Sequence, residues 1–470
     1  MFFTARRHIM TLYHEDTIAG ISTAAGEGGV AIIRISGPDA AAILCDAFSS
    51  KPHYEPSQIP DHLMRYGHVL DQDGSRIDEA MAVLFRAPRS YTREDVAEIH
   101  VHGGRVCAER TLMRTVELGA RPALPGEFTR RAFENGRIDL TQAEAVMDTI
   151  RAEGEMAQRS AQMQLSGQLR EQIEYFQDEL TYLLAKIDAA ADYPDEDLDE
   201  ETRISCINDF EKISREISSI LSRASDARHI REGLMTAIVG APNAGKSSLL
   251  NALLGNDRAI VTPIAGTTRD TIEERFSYKG MVFRLIDTAG LRETQDAIES
   301  IGVSKAKEIL QEADLVLYVV DAADPASFDP NTLLSVPDGK PTVLLLNKSD
   351  LEAKITSDEI LSIVPQVEIL NICAKTGEGL PSLYEVMFRH AVRENTAAEQ
   401  LFVSNVRHIR LLSQTADVLR QGLASARQNV PIDFLGIDVQ EAWRLLAQIT
   451  GKTCDEDVID TIFSNFCVGK

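Results

Sequence analysis

The chain has 470 residues, 44% of them apolar, and a formal net charge of −24. That length suggests two to four domains at roughly 100–200 residues each, and so acidic a balance (pI near 4.9) argues against non-specific nucleic-acid binding. No stretch of about 18 apolar residues occurs, which argues against a helical membrane span.

Residues 1–10 carry Arg6 and Arg7 but lack the apolar core of a signal peptide, so the protein is expected in the cytoplasm, with Met1 or Met10 as its start. Residues 14–135 mix short apolar runs (Val30-Ala-Ile-Ile-Arg-Ile35, Ala80-Met-Ala-Val-Leu-Phe85) with Gly and Pro, which reads as an α+β domain. Residues 1–135 hold 15 Lys and Arg against 18 Asp and Glu, so most of the negative excess lies beyond them. A nucleic-acid partner would need a local patch rich in N-terminal arginines. From about residue 139 the texture is helical. Leu165, Leu169, Ile173, Phe176, Leu180, Leu183 and Ile187 recur at helical spacing and are expected on one face, and Ile207, Phe210, Ile213, Ile217 and Ile220 on another. The acidic stretch 192–201 between them is expected to be a solvated loop.

At Leu234 strands begin to alternate with helices. Strands are expected at 235–239, 282–286, 315–320, 342–346 and 367–372, forming a doubly wound sheet. Helical spacing returns near residue 400 with Val403, Val406, Ile409 and Leu412, then Trp443, Leu446 and Ile449. The expected fold is therefore multidomain: an α+β N-terminal domain at 1–135 and a helical domain in two parts, 136–232 and 396–470. A doubly wound α/β domain at 233–395 is inserted between those parts. Six scattered cysteines (Cys45, Cys107, Cys206, Cys373, Cys454, Cys467) without a CxxC pair read as free thiols, not as zinc ligands or disulfides.

The inserted domain carries the chemistry. Gly240-Ala-Pro-Asn-Ala-Gly-Lys-Ser247 follows a strand and opens a helix expected at 247–254, the context of a phosphate-binding loop. Backbone N–H groups of Asn243, Ala244, Gly245, Lys246, Ser247 and Ser248 can approach phosphates. Lys246 neutralises β/γ oxygens, and Ser247 can ligate Mg²⁺. Asp287, Thr288, Ala289 and Gly290 follow the next strand, where a carboxylate can hold magnesium through water. Asn347-Lys348-Ser-Asp350 ends a later strand. Asp350 there can accept two hydrogen bonds from guanine N1 and N2, a donor pair that adenine lacks, so GTP is selected over ATP. Cys373, Ala374 and Lys375 would offer a backbone N–H to guanine O6. Between the first two motifs lies Thr262-Pro263-Ile264-Ala265-Gly266-Thr267-Thr268, with Thr268 the natural second Mg²⁺ ligand. Leu291 stands where small signalling GTPases carry a water-orienting Gln. A carboxylate among Glu293, Asp296 and Glu299 could replace it through water, and a monovalent cation near Asn243 could supply the missing positive charge.

Further signals are Gly28-Gly-Val-Ala-Ile-Ile-Arg-Ile-Ser-Gly37, Tyr91-Thr-Arg-Glu-Asp-Val-Ala-Glu98, His102-Gly-Gly104, Pro125-Gly-Glu-Phe-Thr-Arg-Arg-Ala-Phe133, Asp139-Leu-Thr-Gln-Ala-Glu-Ala145, Gly266-Thr-Thr-Arg-Asp270, Asp287-Thr-Ala-Gly-Leu-Arg-Glu293 and the end Phe466-Cys-Val-Gly-Lys470. Together these resemble the MnmE (TrmE) family of tRNA-modification GTPases acting on the wobble uridine, from about Asp16 to Lys470. The resemblance implies a homodimer formed through an N-terminal folate-binding module that holds formyl- or methylene-tetrahydrofolate. Its matching contacts are Arg34, Glu98, Arg137 (where relatives can carry Lys) and Lys470, with Cys467 nearby as a candidate nucleophile. It also implies a K⁺ bound by Asn243, Thr262, Ile264 and Thr267, and Glu299 orienting the attacking water. G domains would pair when GTP is bound, and a flavoprotein, MnmG, would complete a heterotetramer that adds a carboxymethylaminomethyl or aminomethyl group to tRNA. Ser349 and Cys373 depart from the commoner Ala and Ser without removing a needed group. An RNA-binding GTPase switch for ribosome assembly shares the nucleotide motifs but lacks the N-terminal module and the tail.

Overall fold

A computed structural model of the chain describes residues 16–192, 196–255, 273–287, 308–334, 336–337, 339–392, 403–428 and 430–469. The chain divides into two compact units, Met1–Met147 with Arg170–Gln177 and Arg444–Lys470, and Asp148–Leu169 with Asp178–Trp443.

The first unit is built on period-two alternation. Strands β1 (Ile18–Ile21), β2 (Gly28–Ser36), β3 (Phe48–Ser50), β4 (Arg65–Leu70), β5 (Arg76–Phe85), β6 (Val96–Gly103) and β7 (Arg121–Pro122) form one sheet in the order β3-β4-β5-β6-β2-β1-β7. All pairs are antiparallel except β1 with β7. Ile33, Ile35, Ile99, Val101, Ala82 and Leu84 turn to one face. There they form a core with Ile43 and Leu44 of helix α1 (Ala40–Ala47) and Ala108 of α2 (Arg105–Glu117). The alternate residues, Arg34, Glu98 and His100 among them, therefore occupy the opposite face. Helix α3 (Glu127–Glu134) is fixed there through Arg131, which is only 2% exposed. Its guanidinium meets Asp16 Oδ1 at 2.6 Å, Glu94 Oε2 at 3.2 Å and Glu127 Oε1 at 3.3 Å. A buried cation needs this many partners to offset its desolvation.

The C-terminal segment belongs to the same unit. At the end of the helix Glu456–Ser464 and just beyond it, the side chains of Phe463 and Phe466 are buried with Phe133, Leu140 and Met147. The Gly126 N–H donates to the Cys467 carbonyl at 3.3 Å. Gly469 has φ +93°, and a Cβ there would lie 2.0 Å from the Ile21 carbonyl oxygen, so only glycine lets the tail press this closely on β1.

The second unit holds a six-stranded sheet in the order β13-β12-β11-β8-β10-β9. These strands are β8 (Leu234–Gly240), β9 (Glu273–Tyr278), β10 (Met281–Asp287), β11 (Leu315–Asp321), β12 (Thr342–Asn347) and β13 (Glu368–Asn371). Five run parallel. Both faces are buried, by Leu317, Leu345, Leu249 and Leu383 on one side and Val316, Val320, Leu344 and Leu346 on the other. That is the mark of a doubly wound sheet. The antiparallel β9 is an addition to the five expected strands. Its charged Glu273, Glu274 and Arg275 disguise a strand whose Phe276 stacks on Phe283 of β10 at 5.0 Å.

Helices precede and follow this sheet in sequence, so it is an insertion. They are α4 (Leu140–Arg151), α5 (Glu155–Leu165), α6 (Gln168–Asp192), α7 (Glu196–Leu221) and α8 (Ala224–Glu232), then Val406–Arg427 and Ile432–Thr450. Leu165 does not share a helix with Leu169. It ends α5, and Gly167 at φ +96° turns the chain before α6, as glycine does beyond a helix C-terminus. The remaining residues of that run, Leu169 to Ile187, are buried along α6 as expected. The acidic stretch is not all loop, because α7 begins at Glu196, and acidic residue types suit a helix start. Val406 is 71% exposed; the buried stripe of its helix runs through His408, Leu411, Leu412, Thr415 and Leu419 instead. In α7 Cys206 is fully buried, whereas Ile207 is only partly so. All six cysteines are free, and no helix among the described residues is long and apolar enough to cross a membrane.

Candidate functional site

In the second sheet the parallel strands end along one edge, at Gly240, Asp287, Asp321, Asn347 and Asn371. The chain leaves β8 for β10 on one side and β11 on the other. Ligands bind outside such carboxyl ends, where the winding direction reverses. The loop Gly240–Lys246 lies there, between β8 and helix α9 (Lys246–Leu254). Gly245, at φ +101°, caps α9. A Cβ at that position would stand 2.1 Å from Asn347 Nδ2, and Asn243 is also left-handed at φ +63°. The loop thus turns its backbone N–H groups inward at a helix N-terminus, an anion site by geometry and dipole. Lys246 is buried beside it, its ammonium donating to the Gly240 and Ala241 carbonyls at 3.1 and 2.8 Å. Ser247 and Ser248 follow on the exposed first turn of α9.

The structure ties three of the expected motifs together through one side chain. Asn347, 2% exposed, donates from Nδ2 to the Ala244 carbonyl at 2.9 Å and accepts the Ala374 N–H on Oδ1 at 3.0 Å. Lys348 reaches Asp321 of β11 at 2.6 Å. Asp350 is exposed, and the Cys373 thiol donates to its Oδ1 at 3.1 Å. The thiol so takes the positioning role open to a serine hydroxyl at that place. Thr262, Pro263, Ile264, Ala265, Gly266, Thr267, Thr268, Thr288, Ala289, Gly290, Leu291, Glu293, Asp296, Glu299 and Lys470 lie outside the described residues, as does the side chain of Asp287. Among the described residues, no group of three His, Cys, Asp or Glu side chains is placed to hold a metal. The hydroxyl of Ser247 and the amide oxygen of Asn243 are instead the hard oxygen donors that Mg²⁺ or K⁺ would meet beside a phosphate.

A second constellation lies on the open face of the first sheet. Gly20 of β1, Arg34 of β2, Glu98 of β6 and Val83 of β5 stand in one cross-strand row. Arg34 pairs with Glu98 Oε1 through Nε at 2.9 Å and through its second terminal nitrogen at 2.8 Å. His100 Nε2 lies 3.3 Å from the other Glu98 oxygen. Burial opposes the charge on Glu98, yet the His100 and Arg34 contacts hold its carboxyl below the usual range. The remaining terminal nitrogen of Arg34 is buried without an acceptor among the described residues, the kind of buried donor that calls for a partner. The Arg34 guanidinium stacks on the Tyr91 ring at 4.9 Å and on Phe128 at 5.7 Å. Arg137 stacks on Tyr91 at 4.7 Å and donates to its carbonyl at 2.9 Å. Arg34, Glu98 and Arg137 are thus brought together. The tail joins them, since a Cβ on Gly20 would lie 3.6 Å from Gly469 Cα. Cys467 is exposed in that tail. Tyr91, His100 and Phe128 are functional candidates that the sequence reading misses at the residue level. The signals for Tyr91 and Phe128 are the motifs Tyr91–Glu98 and Pro125–Phe133 that contain them, whereas His100 falls between two motifs.

Two family models match the chain, "GTP-binding protein TrmE N-terminus" over residues 17–137 and "MnmE helical domain" over residues 140–467. It is similar to proteins named tRNA modification GTPase MnmE along nearly its whole length. The one from Alkaliphilus metalliredigens is 42% identical over 461 residues, 98% of this chain and 100% of that one. The one from Desulforamulus reducens is 43% identical, covering 97% and 100%. The one from Heliobacterium modesticaldum is 43% identical, covering 97% and 99%.

Proposed function

Because the chain belongs to the MnmE family of tRNA modification GTPases, we propose that it adds a carboxymethylaminomethyl or aminomethyl group to carbon 5 of the wobble uridine. It would do so in the cytoplasm as a homodimer, with the flavoprotein MnmG as partner. Hydrolysis of GTP drives the arrangement of the enzyme and is not itself the modifying step.

The observation that carries this proposal is the pairing of two distinct sites in one chain. In the nucleotide site, the loop N–H groups and Lys246 receive phosphate oxygens, and Asp350, steadied by Cys373, receives the guanine N–H donors. Asn347 keeps the two halves of that site in register. Ser247 with Thr268 would hold Mg²⁺, which neutralises phosphate charge, and Asn243 with Thr262, Ile264 and Thr267 would hold K⁺, which stands where an arginine finger would. Glu299 would orient the attacking water.

In the N-terminal site, Arg34, Glu98, Arg137 and Lys470 would hold a tetrahydrofolate, which supplies the one-carbon unit. The residues present suit that group. Glu98 is an ionised acceptor for the amino and ring N–H donors of a pterin, Arg34 has a buried N–H to spare, and Arg137 is an exposed cation for a glutamate carboxylate. Cys467 lies exposed in the adjoining tail.

The deciding experiment is the nucleoside composition of tRNA from cells with and without the protein. Loss of the C5-substituted wobble uridine on deletion is expected. Unchanged tRNA with accumulating ribosomal precursors would replace this function with an assembly switch.

A further inference from the structure

We propose that Tyr91 is a positioning residue of the folate site, one aromatic ring that holds both cationic ligands at the spacing the cofactor needs. The inference rests on the folate assignment and extends it to a residue that touches neither β2 nor α3 in sequence.

Arg34 and Arg137 come from opposite ends of the N-terminal region, yet their guanidinium carbons stand 4.9 and 4.7 Å from the same ring centroid. Two like charges gathered on a partly dry surface repel each other, and more strongly than in water. The negative face of the ring offsets that repulsion without neutralising either cation, as a carboxylate would. Arg34 is already paired with Glu98, but the Arg137 guanidinium has only the ring and the Tyr91 carbonyl at 2.9 Å in the described contacts. Tyr91 is itself fixed at three points. Its hydroxyl lies 2.9 Å from Thr129 Oγ1 on α3, its ring packs with Ile18, Ala123 and Phe128, and its carbonyl is held by Arg137. The ring therefore passes the position of α3 to both arginines. The buried Arg34 nitrogen without an acceptor is left aimed by this clamp, ready for a ligand oxygen or ring nitrogen.

The test is a calorimetric titration of the full chain with 5-formyltetrahydrofolate. Tyr91→Phe keeps the ring and should bind within about threefold of the parent. Tyr91→Leu removes it and should bind about tenfold more weakly. In a double-mutant cycle with Arg137→Gln, the two losses should fall short of adding, because Tyr91 acts through Arg137. Purely structural damage would add, and additive losses would overturn the proposal. Should Tyr91→Leu fail to fold, ring-fluorinated phenylalanines at the same position keep the shape and weaken the negative face step by step. Affinity should fall along that series, and a flat response would also overturn the clamp. If the parent chain itself does not bind the probe, the folate assignment fails and not the clamp alone.

Discussion

Asn347 touches the phosphate loop with one end of its amide and the loop after β13 with the other. A purine held by Asp350, as proposed, would therefore be kept at a set distance from phosphates held at Gly240–Ser247. Asp350 is where base choice can be tested. Asp350→Asn should weaken GTP on the order of 100-fold, since two charge-assisted hydrogen bonds are lost. It should also favour xanthosine triphosphate, whose O2 accepts from an amide. Competition with a fluorescent nucleotide measures both, and an unchanged preference would remove Asp350 from base recognition. These residues are legible in sequence because each sits at the end of an apolar strand with fixed spacing. Arg131 is not. Its partners Asp16 and Glu94 lie 115 and 37 residues away, and nothing in the order of residues brings them together. Arg131→Met would leave three carboxylates crowded with only Arg121 beside Asp16 and Glu127, at a cost of about 3–5 kcal/mol. The pH dependence has a definite sign. Asp16 and Glu127 both resist burial, but hydrogen bonds and charge from Arg121 and Arg131 hold their carboxyls below the ordinary range. The stability they contribute is complete above the unfolded carboxylate range near pH 4 and is lost as pH falls through the lower folded values. Hydrogen-exchange protection in β1 and β6, taken relative to the intrinsic amide rate at each pH, should rise with pH only across that acid window, and Arg131→Met should flatten the dependence.

At the scale of elements, periodicity alone finds the long helices and the five parallel strands, because burial on one stripe or both faces leaves a clear apolar pattern. It misses β9, an edge strand with charges on its open side, and it runs α5 and α6 together across Gly167. Spacing of three and four continues by chance through a turn that only the left-handed glycine reveals. The tail is a different case, a segment with too few residues for any periodicity. Its place depends on Gly469, whose backbone no other residue adopts without strain of about 1–3 kcal/mol, before any clash with the Ile21 carbonyl. Gly469→Ala should free the tail, and limited proteolysis should then cut after Phe466 faster than in the parent. Equal cutting rates would mean that the tail is held by Phe463 and Phe466 alone.

For the whole molecule, the doubly wound sheet and the open-faced sheet belong to separate compact units, so the nucleotide chemistry can be probed by itself. If K⁺ stands in for an arginine at Asn243, GTP turnover should be several-fold faster in K⁺ than in Na⁺ at equal ionic strength, with little change in GTP affinity. Equal rates in a phosphate-release assay would remove the potassium assignment. Composition marks the N-terminal region as nearly neutral and the rest as strongly acidic. It does not reveal that residues 444–470 return to the N-terminal unit, because that return is a fact of packing and leaves no periodic trace.

That return has a consequence for synthesis. Gly469 packs on β1, which leaves the ribosome long before it. At about 5–20 residues per second, the interval from residue 147 to residue 469 is on the order of 20–60 s. Throughout that time the sheet edge at Ile21 waits for a segment still being made. A nascent chain can thus complete the doubly wound sheet well before residues 444–470 reach the N-terminal unit. Among the described residues, the segment that Gly469 leads onto β1 is thus the part of its unit made latest, and the edge it covers stays bare until then.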